Sequence, residues 1–416
     1  MSDIVFLAHR IPYPPDKGDK IRSWHILRHL AERATVHLGA FVDDPADMAH
    51  AEMLRSVCGD VLLRPLEAGD RWKRGLRGLL RGDALSLALY HDDAMAEWVR
   101  ETVRRRRPAG IFVFSGQMAP YALPHLDGRR SAMDFVDVDS EKWFQYAREG
   151  GGLRRLVYQR EGRLLRAFEK QAARRFDASL LVSEAEASLF RQVGGADAHN
   201  VLAVSNGVDF DYFDPDAGFR PLAKPGSPAF VFTGAMDYRP NVDAVLWFAE
   251  QVWPRIRAAK PQAAFQIVGS KPLPEVQKMS GRDGITVTGR VEDVRPYIAG
   301  ADAIVAPLRI ARGIQNKVLE AMAMAKPVVA TQAAFEGIDA VPSEHLLVED
   351  EPAAYAAHLL DLADDPQRAR RLGAAARRHV SARYSWSACL APLDDIFGLA
   401  PLLQVTAPML LKAVAE

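Results

Sequence analysis

Ala303-Ile304-Val305-Ala306-Pro307-Leu308-Arg309-Ile310-Ala311-Arg312-Gly313-Ile314-Gln315-Asn316-Lys317-Val318-Leu319-Glu320 is the stretch on which the reading of the fold turns. A short apolar run, Ala303 to Pro307, reads as a buried strand. Val318, Leu319 and Met322 give the next segment one apolar helical face, and Val328 to Thr331 is again strand-like. Strand, loop, helix and strand in that order make a unit of a parallel sheet covered by helices. The helix is predicted to begin near Gln315, where Gly313 lets the backbone approach a ligand and the first-turn amides form an anion site.

The same alternation runs outward in both directions. On the N-terminal side of the chain the strand candidates are Ile4–Ala8, Thr35–Phe41, Val61–Arg64, Ile111–Phe114, Ala132–Val136, Ala178–Val182 and Val201–Val204. Phe230–Thr233, Phe265–Val268, Ile285–Thr288 and Leu346–Val348 complete a second set with the two strands quoted above. A chain of 416 residues exceeds what one core supports, so two domains are expected. Asp214 to Pro228 holds four prolines and two glycines and has linker composition. The expected division is a Rossmann-like domain over 1–205, a linker over 206–228, a second Rossmann-like domain over 229–383 and a crossing helix with tail over 384–416. The fold class is α/β, with two doubly wound sheets facing a cleft outside the carboxyl ends of their strands.

Composition excludes more than it names. Lys plus Arg and Asp plus Glu number 53 each, so net charge gives no expectation of a nucleic-acid partner. Cys58 and Cys389 are too far apart in sequence for a metal or redox motif, and no export signal opens the chain, which predicts a cytoplasmic protein. The tail Leu399 to Ala415 is broken by Pro401, Gln404, Thr406, Pro408 and Lys412, so membrane contact would be peripheral. Arg148 to Arg175 carries nine basic and three acidic residues among leucines, and Arg71 to Arg81 repeats the pattern. Both suit an anionic membrane surface, or a solvated face over a core stripe.

Arg309, Arg312 and Lys317 flank the helix start although the macrodipole disfavours cations there, a conflict that a bound diphosphate resolves. Glu320 lies about five residues further along the helix, roughly 7 to 8 Å at ~1.5 Å per residue, within reach of a ribose. A solvated Glu–Lys pair on a surface helix is the alternative. The stretch Gly313 to Thr331, with Gly234 and Gly289, resembles the retaining family 4 glycosyltransferases of GT-B fold. The resemblance implies a donor site of Gly234, Arg239, Asn241, Gly289, Arg290, Val291, Arg312, Gly313, Ile314, Gln315, Asn316, Lys317 and Glu320. In that family two glutamates flank this loop; Glu320 matches the ribose-binding one, while the position of the one that contacts the sugar holds Arg312.

Asn241 reads as the N-cap of the helix after Phe230–Thr233, with an ordinary turn and cap as the plain alternative. In the first domain the loop His9 to Lys20 offers Gly18, Lys20 and Arg22 to the acceptor or phosphate side, or is simply a proline-rich connection capped by Asp19. Family members often place a histidine after a middle strand, but Ile111–Phe114 is followed by Ser115, Gly116 and Gln117. Asp137 and Asp139, after Ala132–Val136, are the catalytic candidates together with Lys317; helix capping is the alternative for the two aspartates. Gly18–Arg22, Asp134–Trp143 and Arg312–Thr331 look like the exosortase-associated exopolysaccharide sugar transferases, which implies a nucleotide-diphosphate sugar donor and a glycan or polyprenyl-linked acceptor at the inner membrane. No metal and no cofactor are expected. A sugar-nucleotide epimerase and a non-catalytic nucleotide-sugar-binding module remain as alternatives. A nicotinamide enzyme is disfavoured, because Arg10 to Asp16 is proline-rich where a Gly-x-Gly-x-x-Gly turn would stand.

Overall fold

The computed structural model describes residues 2–15, 18–66, 75, 78, 82–149, 151–222, 225–311 and 314–400. The chain divides into two compact units, Met1–Asn206 with Leu390–Glu416, and Gly207–Cys389. The first contains β1 (Asp3–Ala8), β2 (Thr35–Val42), β3 (Val61–Pro65), β4 (Gly110–Phe114), β5 (Arg130–Val136), β6 (Ala178–Leu181) and β7 (Val201–Ala203). The second contains β8 (Ala229–Thr233), β9 (Ala264–Val268), β10 (Ile285–Gly289), β11 (Ala303–Ala306), β12 (Val328–Ala330) and β13 (Leu347–Val348). Every strand expected from the sequence is present, its ends within two residues of the expected ones.

Both sheets are parallel, in the orders β3-β2-β1-β4-β5-β6-β7 and β10-β9-β8-β11-β12-β13. The central strands read as unbroken apolar runs, GIFVF in β4 and AFVFT in β8, and are buried throughout, as strands covered by helices on both faces must be. In each order the strand sequence reverses at one place, between β1 and β4 and between β8 and β11. At such a point neighbouring strand-to-helix loops part and leave a crevice.

Of residues 206–228, read as a linker, Asn206 belongs to the first unit and 207–222 and 225–228 to the second. Val208 donates its N–H to the Tyr384 carbonyl at 2.6 Å, and Leu222 donates to that of Pro296 at 3.2 Å. The helix Trp386–Phe397 starts in the second unit, and from Leu390 onward belongs to the first. There Asp394 takes His29 at 2.8 Å and Arg33 at 3.2 Å. The Phe397 ring lies over Gly110, where an added Cβ would come within 2.5 Å of it. Residues 401–416 and most of the basic run 71–81 fall outside the described residues. No helix among the described residues is long and apolar enough to cross a membrane.

Candidate functional site

The reversal point of the second sheet gathers the residues that matter most. β8 ends at Thr233, and Gly234 follows with φ of +153°, a conformation that side chains rarely adopt. A Cβ there would lie 2.7 Å from Asn241 Nδ2 and 3.2 Å from Lys317 Nζ. Lys317 comes from the other side of the reversal, on the helix Asn316–Ala323 that follows β11. Its ammonium donates to Asn241 Oδ1 and sits 4.5 Å from the centroid of the Phe232 ring. Asn241 in turn donates through Nδ2 to the Ala235 carbonyl at 2.9 Å, which fixes its amide so that the oxygen faces the lysine.

Burial brings the Lys317 ammonium down to about 8, against a smaller opposing pull from the Glu320 charge. Burial likewise pushes the Glu320 carboxyl up to about 7, with Lys317 pulling the other way. The Glu320 carboxylate makes no hydrogen bond or ion pair with any described residue. The pair is therefore not a solvated surface bridge: lysine and glutamate are both partly withdrawn from water, and the lysine donates to Asn241 instead. A cation held away from water beside a helix start without a side-chain cap is arranged to receive an anion.

Gly234→Ala tests this packing. The methyl group would collide with Asn241 and crowd Lys317 while forcing alanine into a strained φ, so affinity for a nucleoside diphosphate should fall more than tenfold in calorimetric titration. An unchanged affinity would show that the loop does not shape the anion site.

The neighbouring candidates are placed as follows. Asn241 is not an N-cap: the helix Arg239–Trp247 begins two residues earlier with Tyr238 as cap, because Pro240 fits the first turn, where a missing N–H costs nothing. Arg239 is exposed at that helix start, and Arg309 is paired with Asp243. Gly289 closes β10 with φ of +71° where the register with β9 shifts, followed by exposed Arg290 and half-buried Val291. Ile314 packs against the core, Gln315 stands at the N-cap position without a side-chain cap bond and Asn316 is exposed. Arg312 and Gly313 lie outside the described residues.

The first unit presents a second cluster at the ends of β1, β4 and β5. Ser115 after β4 and Val136 closing β5 both have left-handed backbones, with φ of +77° and +68°. For a β-branched valine that is a costly conformation, and such strain concentrates at functional sites. Asp134 stabilises it by accepting the Val136 N–H at 3.0 Å. Asp137 and Asp139 follow at once and share one ammonium, Lys142 Nζ, at 2.8 Å and 3.2 Å. Burial pushes the Asp139 carboxyl up although Lys142 opposes it. Behind it Glu169 is raised to about 7 by burial while accepting the Ser140 N–H at 3.0 Å and its hydroxyl at 2.6 Å.

Gly18 opens the helix Gly18–Ala31 with open space around it. Lys20 and Arg22, expected to face acceptor or phosphate, are instead buried inside the unit. Lys20 pairs with Asp47 at 2.8 Å, and Arg22 Nε with Asp134 at 2.8 Å while Nη1 donates to Asn206 at 3.0 Å. A sequence cannot announce carboxylate partners 27 and 112 residues away.

His9 is the residue that sequence reading missed. The strand order sets Ala8 beside Phe114, so the residue after β1 reaches the end of β4. There the His9 imidazole stacks on the Phe114 ring, centroids 5.8 Å apart and planes 13° apart, and lies 3.5 Å from Asp19. Burial alone would raise Asp19, but the hydrogen bond to His9 and the charges of Arg10 and His9 reverse this and hold its carboxyl at about 2. His9 thus stands beside the end of β4, where the sequence itself has no histidine, and its charge acts on the Asp139 carboxyl.

Two doubly wound parallel sheets, the second with a glycine turn, a half-buried lysine and a helix start at its reversal point, define a fold of the GT-B class. Residues 227–365, within the second unit, match the family described as glycosyl transferases group 1. The chain is 32% identical over 145 residues to the GDP-mannose-dependent monoacylated alpha-(1-6)-phosphatidylinositol monomannoside mannosyltransferase of Corynebacterium glutamicum. That match covers 32% of this chain and 38% of the relative, so the chain spans well under half the length of the curated relative it matches. Sucrose-phosphate synthase from Thermosynechococcus elongatus has the same fold, with a TM-score of 0.63 and 19% identity over 96% of this chain and 98% of that one. HepE from Anabaena, solved in complex with UDP-glucose, gives 0.60 and 15% over 96% and 100%.

Proposed function

We propose that this protein transfers a sugar from a nucleotide-diphosphate donor to a hydroxyl of a glycan or lipid-linked acceptor in exopolysaccharide synthesis, with retention of configuration and without a metal. The observation that carries the reading is Lys317, withdrawn from water, bonded to Asn241 and packed against Gly234 at the sheet's reversal point. The bond from the sugar's anomeric carbon to the diphosphate breaks and a bond to the acceptor oxygen forms. Lys317 and the amides of the Asn316–Ala323 helix stabilise the departing diphosphate where a metal would otherwise do so. Glu320, partly withdrawn from water, accepts the ribose hydroxyls. In the first unit Asp137 or Asp139, with His9 beside them, receives or orients the acceptor's proton. The binding of GDP-mannose and UDP-glucose implied by the names of its relatives supports the donor class. The exposed Leu156 and Val157, near Arg154 and Arg155 on the helix Gly152–Arg175, support peripheral contact with an anionic inner-membrane surface at its cytoplasmic side.

Incubation with UDP-glucose or GDP-mannose and a hydroxyl acceptor, followed by product analysis, tests the reading. The expected product is a new glycoside together with the nucleoside diphosphate. An altered sugar still attached to its nucleotide would show an epimerase, and binding without any turnover would show a binding module.

The two titrating groups set a pH window. Glu320 accepts two hydroxyl protons only as a carboxylate, so donor affinity should weaken as pH falls through about 7. Lys317 attracts a diphosphate only as a cation, so affinity should also weaken as pH rises above about 8. Donor dissociation constants measured from about pH 6 to 9.5 should pass through a minimum between these limits, and Glu320→Gln should abolish the acid limb alone. An acid limb that persists in Glu320→Gln would remove Glu320 from the ribose.

A further inference from the structure

We infer that the Trp143, Tyr146 and Tyr158 rings form a sugar-stacking subsite for the penultimate rings of an oligosaccharide acceptor, leading outward from Asp139; this rests on the reading of the protein as a glycosyltransferase. On the helix Asp139–Glu149, residues 142, 143 and 146 lie within about 60° of Asp139 at ~100° per residue, so one face carries carboxylate, ammonium and two aromatics in succession. Trp143 and Tyr146 stand roughly 6 Å and 10 Å along that face from Asp139 at ~1.5 Å per residue, comparable to one and two pyranose rings.

The helix Gly152–Arg175 supplies the third ring and holds the others in place. Trp143 and Tyr158 centroids are 5.5 Å apart, Trp143 and Tyr146 are 5.9 Å apart at 88°, and Tyr146 and Tyr158 are 6.1 Å apart. The two helices are locked by Phe144, whose ring meets Gly162 where an added Cβ would come within 3.0 Å, and by Arg166 over the same ring. That contact packs the two helices alongside the three rings. Tyr146 nevertheless remains 49% exposed, and Trp143 and Tyr158 are only half-buried. A partly exposed aromatic surface, continuous with a polar cluster at a strand end, has the composition of a sugar site: the C–H face of a pyranose packs on a ring while its hydroxyls meet Lys142 and the aspartates.

The test is the binding of maltotriose, cellotriose, chitotriose and mannotriose to the full chain by calorimetry, each against its own monosaccharide. At least one trisaccharide should bind tenfold or more tightly than its monosaccharide. Trp143→Ala and Tyr158→Ala should each remove that gain and leave the monosaccharide unchanged. Tyr146→Ala, the variant least involved in packing, should lower the gain by about threefold. No gain for any trisaccharide, or a gain intact in all three variants, overturns the inference. So does loss of sedimentation with phosphatidylglycerol vesicles in the variants while saccharide affinity holds, because the rings would then serve a lipid surface. The readout is binding, so a protein that shows the gain but turns over no nucleotide sugar contradicts the proposed activity and not the subsite.

Discussion

Lys317→Ala is expected to weaken nucleoside diphosphate binding by about 10- to 100-fold, as loss of a charge-assisted contact of ~1.5–3 kcal/mol does. Binding of the nucleoside alone should change by less than about twofold. The distinction follows from geometry: Lys317 lies at the start of its helix, against Asn241 and Gly234, whereas Glu320 stands one turn further on. Removing the ammonium takes no apolar side chain from the core, and Asn241 keeps its bond to the Ala235 carbonyl. Unfolding should therefore be nearly unchanged, which separates lost affinity from lost structure. Equal losses for nucleoside and nucleoside diphosphate would place the lysine away from the phosphates.

Arg22→Leu should have the largest effect on stability, about 3–5 kcal/mol, because it leaves Asp134 charged and buried without its partner. Asp134 is already pushed upward by burial, with the Arg22 charge as the main opposing influence. The same carboxylate accepts the Val136 N–H and so stabilises the left-handed turn that delivers Asp137 and Asp139. The variant should accordingly lose the first unit's unfolding transition at lower denaturant and lose acceptor-side activity with it. The double variant Arg22→Leu/Asp134→Leu should recover much of the stability, since two apolar residues replace a buried pair at little cost, but not the turn. A single variant as stable as the wild type would show that water reaches Asp134.

The sheet architecture is legible in sequence because both sheets are parallel and buried, so their strands are short apolar runs between amphipathic stretches. The helix start at Gln315 is equally plain, since Gly313 precedes it and Val318, Leu319 and Met322 set its face. What escapes a sequence are contacts made by tertiary register. Ala8 and Phe114 are neighbours only once β1 and β4 pair, and only then does His9 stack where the sequence offers no histidine. Lys20 and Arg22 look like surface cations at a helix start; Asp47 and Asp134, distant in sequence, make them internal. Asn241 has the residue type of a cap, whereas Pro240 moves the helix start back and leaves its amide to fix Lys317.

That Lys317 receives the diphosphate is tested most directly by the protons taken up on binding. At about pH 8.5 a lysine brought down to about 8 is mostly neutral, while Glu320, at about 7, is mostly ionised. A diphosphate that settles on the lysine restores its charge and should draw up to about 0.7 proton from solution, by the linkage of binding to protonation. Calorimetric titration of the nucleoside diphosphate in two buffers of different ionisation enthalpy measures that uptake. Uptake is expected in the wild type and none in Lys317→Met. Binding without uptake, or equal uptake in both proteins, would contradict a diphosphate seated on Lys317.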